Sequence, residues 1–192
     1  MNEIKKWIVG SLLLSSVLSA DIAFDLHAQH FSKAIEGKYE GARYDLPYSY
    51  ASTNLKYEDG YYITQNSSGY FNVEVKEPKE GWSVSFDAYY RFSYRNYVRT
   101  VKLVSENGES VVLSLSSKDS KFNSTSVFSA GSNLRVTASF SQVGENIELS
   151  INGEQVGVAK KKTFGALKYI EIQLINEDGT NDRLNSLTIG SK

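Results

Sequence analysis

The chain has 192 residues, with 21 basic and 22 acidic side chains, a formal charge of −1, thirteen tyrosines, two histidines, two prolines and no cysteine. Such near balance of charge excludes capture of nucleic acid or an anionic membrane by bulk electrostatics. Absence of cysteine excludes disulfides, thiolate metal sites and a lipidated-cysteine anchor, so stability must come from an apolar core. A domain of about 150 residues buries roughly 68 to 70% of its unfolded surface, which suffices for one.

Residues 1–20 differ in kind from the rest. Met1 to Lys6 form a basic start, Trp7 to Leu18 an apolar run, and Ser19-Ala20 a small-residue cleavage site before Asp21. That order is the one a cleaved export signal needs. The apolar run is shorter than the roughly 20 residues of a membrane span. The expectation is an exported protein, periplasmic or secreted, with no membrane anchor in its mature form. Removing residues 1–20 takes away Glu3, Lys5 and Lys6 and leaves a formal charge of −2 on a single domain, 21–192.

Between His27 and Ile35 the residues Ala28, Phe31, Ala34 and Ile35 have helical spacing after a possible cap at Asp25. From residue 82 onward period-two alternation dominates, the signature of a half-buried strand. It is clearest where Trp82, Val84, Phe86, Ala88, Tyr90, Phe92 and Tyr94 fall on one face and Ser83, Ser85, Asp87, Tyr89, Arg91 and Ser93 on the other. The same pattern gives Val111 to Leu115, Leu134 to Phe140, Ile147 to Ile151, Ile170 to Leu174, and Leu187 with Ile189. Turn signals separate these runs: Asp59-Gly60, Ser68-Gly69, Asn107-Gly108 and Asn152-Gly153. Asn-Gly and Asp-Gly accept the positive φ of tight hairpins. Strands joined this closely imply an all-β, antiparallel two-sheet sandwich or barrel, because parallel strands need long crossovers.

Three segments resemble the concanavalin A-like lectin/glucanase superfamily, whose members include laminin G-like jelly rolls. The first is Leu55 to Ile63 followed by Gly81 to Ala88. The second is Leu134 to Phe140 with Glu148 to Val156, similar to the superfamily's hairpin with an Asn-Gly turn. The third is the closing Asp182 to Gly190, similar to a last strand that returns beside the N-terminal one. The resemblance implies a jelly-roll sandwich, and a fold does not by itself imply a function.

A retaining glucanase of that superfamily would carry an E-x-D-x-x-E strand, because its nucleophile and acid/base stand about 5 Å apart. The chain has no such triplet, only the isolated strand acids Asp87, Glu148 and Glu171. A glycoside hydrolase built from such dispersed carboxylates needs two of them to meet in one cleft. His27 and His30 make only two ligands where zinc takes three or four. The loop 176–182 gathers oxygen ligands, among them Asp178 and Asp182, that suit calcium; a polar turn explains the same composition.

The segment 87–99 is the most suggestive for binding, with Asp87, Tyr89, Arg91, Arg95, Tyr97 and Arg99 interleaving rings, donors and an acceptor. If the even face is buried, Asp87, Tyr89 and Arg91 point outward together, ready for a sugar face or a partner side chain. Ordinary solvated sheet residues have the same look. The reading favoured is an exported binding module for a carbohydrate or cell-envelope glycan, without catalysis. Its rivals are the hydrolase and a protein-interaction or adhesion subunit.

Overall fold

The computed structural model describes residues 21–25, 39–40, 48–75, 80–93, 95–177 and 179–191. The expected signal sequence, the helical stretch 27–35 with His27 and His30, Tyr94 and Asp178 all lie outside these residues. Every regular element among them is a strand, and no helix there is long and apolar enough to cross a membrane.

Two antiparallel sheets make the sandwich. Sheet I runs, edge to edge, β14 (Glu154–Lys160), β13 (Asn146–Ile151), β12 (Asn133–Val143), β7 (Trp82–Arg91), β17 (Arg183–Ser191), β5 (Tyr61–Thr64) and β4 (Leu55–Glu58). The short β1 (Asp21–Asp25) pairs with the far end of β17, on the edge whose near end β5 occupies. Sheet II runs β11 (Thr125–Phe128), β10 (Ser120–Phe122), β9 (Ser110–Leu115), β8 (Arg99–Ser105), β15 (Leu167–Glu177), β6 (Ser68–Val75), β3 (Tyr48–Thr53) and β2 (Tyr39–Glu40), with β16 (Thr180–Asn181) beside β15.

Alternation decides which face each strand buries. In β7 every even residue from Trp82 to Tyr90 is buried and the odd ones through Tyr89 are half-exposed. Val136, Ala138 and Phe140 of β12, Ile170, Ile172 and Leu174 of β15, and the odd positions of β9 and β13 are buried in the same alternation. Leu134 and Gln142 are half-buried, and Ile175 and Glu177 at the end of β15 break the pattern by being buried as well. Rings close the gap between the layers: Tyr62 of sheet I meets Phe71 of sheet II at 5.0 Å, and Phe140 meets Phe122 at 5.9 Å. Each such ring contributes about 1.5–3 kcal/mol by leaving water.

The turns at Asp59-Gly60, Asn107-Gly108 and Asn152-Gly153 form as expected, with positive φ at Asp59, Gly60, Gly108, Asn152 and Gly153. Ser68-Gly69 does not. These residues open β6, paired to Ile175 and Leu174. Gly69 is required for a different reason: a Cβ there would stand 2.8 Å from the carbonyl oxygens of Thr53 and Asn54 and 2.3 Å from Leu55 Cδ2. The chain crosses from sheet II to sheet I at Thr53–Leu55, turning on Asn54 at φ 55°, and it passes directly over Gly69.

Strand β7 also ends earlier than its alternation suggests, at Arg91. Phe92 stays buried, but its backbone bonds to Ser132, and Asn96 adopts φ 49° in the loop that leads into sheet II.

Candidate binding site

The order β12–β7–β17 puts three outward residues in one row. Tyr89 is the Cα partner of Arg135 on one side and of Arg183 on the other. The next row holds Thr137, Asp87 and Ser186, with Asn185 as the extra residue of a bulge in β17. Arg91 and Asn133 form the row beyond Tyr89. Together Tyr61, Tyr89, Arg91, Arg135, Arg183 and Asn185 line an open cavity of about 440 Å³ on the outer face of sheet I.

Local contacts fix several of these groups. Asn185 Nδ2 donates to Asp87 Oδ2 at 3.1 Å, and Arg135 Nη2 donates to the same oxygen at 3.4 Å. Tyr89 donates its hydroxyl to Asn133 Oδ1 at 3.3 Å. Arg183 lies over the ring of Tyr61, 5.3 Å from its centre. Asp87 Oδ1 is buried and has no hydrogen-bond partner among the described residues.

The expected site residues therefore divide. Asp87, Tyr89 and Arg91 share one outer face; Tyr89 and Arg91 line the cavity, and Asp87 adjoins it through Asn185 and Arg135. Arg95 and Tyr97 lie elsewhere, in a loop bordering a second depression of about 310 Å³ with Ser67, Ser68 and Asn176. Arg99 is not on a surface at all: it has no solvent exposure, so it is not placed to touch a ligand.

Inside the sandwich, Arg99 uses its whole fork. Nε donates to Asp182 Oδ2 at 2.9 Å, Nη1 to Glu177 Oε2 at 3.0 Å and to the Tyr97 carbonyl at 2.5 Å, and Nη2 to the Arg91 carbonyl. Its guanidinium carbon lies 4.5 Å from the centre of the Phe92 ring. The carboxylates take further donors: Asp182 accepts the backbone N–H groups of Arg91 and Ile175, and Glu177 accepts the N–H and hydroxyl of Ser93.

One cation between two buried carboxylates separates their acidities. Burial pushes Asp182 above the usual carboxylate range despite its bonds to Arg99. Burial acts the same way on Glu177, but the hydrogen bonds from Ser93 and Arg99 outweigh it and hold that carboxyl below its ordinary value. Burial, reinforced by Asp182, also raises Tyr90 far above an ordinary phenol. Asp182 is thus committed to an internal ion cluster, which removes it from the calcium reading. No group of three or more metal-ligating side chains exists among the described residues.

The isolated acids do not converge. Asp87 and Glu148 both belong to sheet I, but register places them two strands and four residues apart, roughly 16 Å by strand geometry. Glu171 stands in sheet II, between Asn72 and Lys102. Paired glycosidase carboxyls stand about 5 to 9.5 Å apart.

Sequence reasoning missed Tyr61, Arg135, Arg183 and Asn185. Each arginine is visible as an outward position, Arg135 between Leu134 and Val136 and Arg183 before Leu184. That they flank Tyr89 is a matter of strand order, which alternation within one strand does not carry.

No protein-family model and no curated protein matches the chain in sequence. Solved structures do match in fold. SCLam, described as a non-specific endo-β-1,3(4)-glucanase of family GH16, superposes with a TM-score of 0.56 at 8% identity, covering 71% of this chain and 73% of that one. The potassium-bound carbohydrate recognition domain of Emp46p gives 0.55 at 10% identity, covering 82% and 94%. A sialidase gives 0.49 at 10% identity over 81% of this chain, which spans only 17% of that protein's length. The chain has the concanavalin A-like jelly-roll fold of the glucanase and the recognition domain.

Proposed function

We propose that the chain is an exported, non-catalytic carbohydrate-binding module whose ligand lies on the outer face of sheet I. The observation that carries this reading is the row Arg135–Tyr89–Arg183, set across three paired strands beside Asn185 and Arg91. It offers a ring, fixed donors and a cavity of sugar size on a rigid support. Binding needs nothing more, whereas hydrolysis needs a second carboxyl at glycosidase distance, and the strand acids Glu148 and Glu171 do not meet Asp87. SCLam, an endo-β-1,3(4)-glucanase, and the carbohydrate recognition domain of Emp46p support a glycan as partner on this fold.

Export is read from residues 1–20, and Asp21 is the expected first residue of the periplasmic or secreted form on N-terminal sequencing. A glycan array probed with residues 21–192 tests the binding function, with Tyr89→Ala and Arg91→Ala as controls. Binding to a defined glycan that both variants lose while folded supports the site. Failure to bind any glycan, charged or neutral, overturns the reading in favour of a protein partner in the envelope or outside the cell.

A further inference from the structure

The cavity on sheet I has a charge the rest of the chain lacks. Three of its lining side chains are guanidiniums, Arg91, Arg135 and Arg183, all exposed, while the chain as a whole has a formal charge of −1. One carboxylate adjoins them, Asp87, and its reachable oxygen is already shared between Arg135 and Asn185. Among the described residues Arg91 and Arg183 have no carboxylate within ion-pair distance, although every other strand arginine of the two sheets has one. The site therefore holds a local excess of two positive charges concentrated where a ligand enters.

From this we infer that the cavity takes an acidic glycan, with a carboxylate or sulfate of the sugar bound by Arg91 and Arg183 while the sugar ring rests beside Tyr89. The inference rests on the binding-module reading and names its ligand class. Geometry supports it as well as charge. Arg135 and Arg183 stand one strand spacing, about 4.8 Å, to either side of Tyr89, so a sugar against that ring has a guanidinium on both flanks. The planar fork of arginine matches the two oxygens of a carboxylate or sulfate. Tyr61 holds the Arg183 fork from beneath by a cation–π contact. Asp87 fixes Arg135 and Asn185, leaving Arg91 and Arg183 for the ligand's charge.

Calorimetry on residues 21–192 tests this with three probes: a tetragalacturonate, its fully methyl-esterified form, and a sulfated oligosaccharide of equal length. The ester removes the charge and keeps the sugar. The expected result is binding of the acid or the sulfated probe, weakened roughly tenfold or more by the ester, by Arg183→Gln and by Arg91→Gln. Arg183→Lys keeps the charge but loses the fork, and it is expected to weaken binding too. Comparison of the uronate and sulfated arms tells which group is the ligand. Equal binding of acid and ester, or preference for uncharged glycans on an array, overturns the acidic class and leaves the binding module standing. Acid binding that neither arginine variant alters overturns the site. Absence of binding to any glycan on the array removes both. The arginines are exposed, and far-ultraviolet circular dichroism confirms that each variant is folded.

Discussion

Arg99 and Asp182 meet inside the sandwich, Nε donating to Oδ2 at 2.9 Å, with both side chains wholly shielded from solvent. Arg99 begins a strand of sheet II, and Asp182 immediately precedes a strand of sheet I. Removing the cation leaves Asp182 and Glu177 buried without it. Arg99→Met is expected to cost about 3–5 kcal/mol, the range found when one partner of a buried pair is deleted. Arg99→Lys should recover only part of this, because an ammonium cannot serve both carboxylates and two carbonyls in one plane. Urea unfolding measures both; a loss below about 1 kcal/mol for Arg99→Met would contradict a structural role.

The two carboxylates should act on acid stability in opposite senses. Glu177, held below its unfolded value, contributes stability that is present above the ordinary carboxylate range and is lost as pH falls through its folded pKa. Asp182, raised above its unfolded value, contributes stability that is full below the unfolded pKa and is lost as pH rises through its folded one. Between about pH 2 and 6, Glu177→Gln should flatten the fall of stability on acidification, and Asp182→Asn should steepen it. Urea midpoints across that range, with both variants changing the slope in the same sense, would refute the assignment.

Gly69→Ala places a methyl group against two backbone carbonyls that cannot move independently of the crossing between sheets. Overpacking of this kind costs about 1–3 kcal/mol. The change should appear as a lowered Tm, whereas Gly108→Ala, where nothing lies within 4 Å of the new Cβ, should show only the cost of its positive φ. Equal effects at the two positions would mean that the close approach at Gly69 does not matter.

Tyr90 is fully buried, and its hydroxyl has no hydrogen-bond partner among the described residues. A phenylalanine keeps the ring and removes the unsatisfied group, so Tyr90→Phe should be neutral or stabilising by up to about 1 kcal/mol. Differential scanning calorimetry decides: a clear loss of stability would show that the hydroxyl is bonded in solution.

The outer-face salt link between Arg135 and Asp87 has an arginine three-quarters exposed, so it should add little to stability. Arg135→Gln is expected to leave unfolding by urea within about 0.5 kcal/mol of the parent while loosening Asn185 and Asp87. A larger loss would make Arg135 a structural residue and weaken its place in the binding face.

How far the residues themselves revealed this arrangement depends on range. The facing of Asp87, Tyr89 and Arg91 follows from a period of two within β7, because each strand must turn one side to the core. Arg99 broke the reading for a physical reason: arginine in a polar, aromatic segment looks like a surface residue, and the two acids that permit its burial are 78 and 83 residues away in the chain. The neighbours of Tyr89 were hidden in the same way, since register between β12, β7 and β17 is set by the packing of whole sheets. Gly69 had the composition of a turn, but its role depends on the path of Thr53 and Asn54 above it.

The ion cluster and the cavity also share backbone. The carbonyl and N–H of Arg91 are both bound within the cluster, by Arg99 and by Asp182 respectively, and Arg183 is the residue next to Asp182. The two arginines most free to meet a ligand thus extend outward from peptide units anchored on the inward side. Ligand capture would then restrict side-chain rotamers alone, with the main chain already held in position. Loosening the interior cluster should therefore reach the surface as weaker recognition, even though none of its side chains faces the ligand.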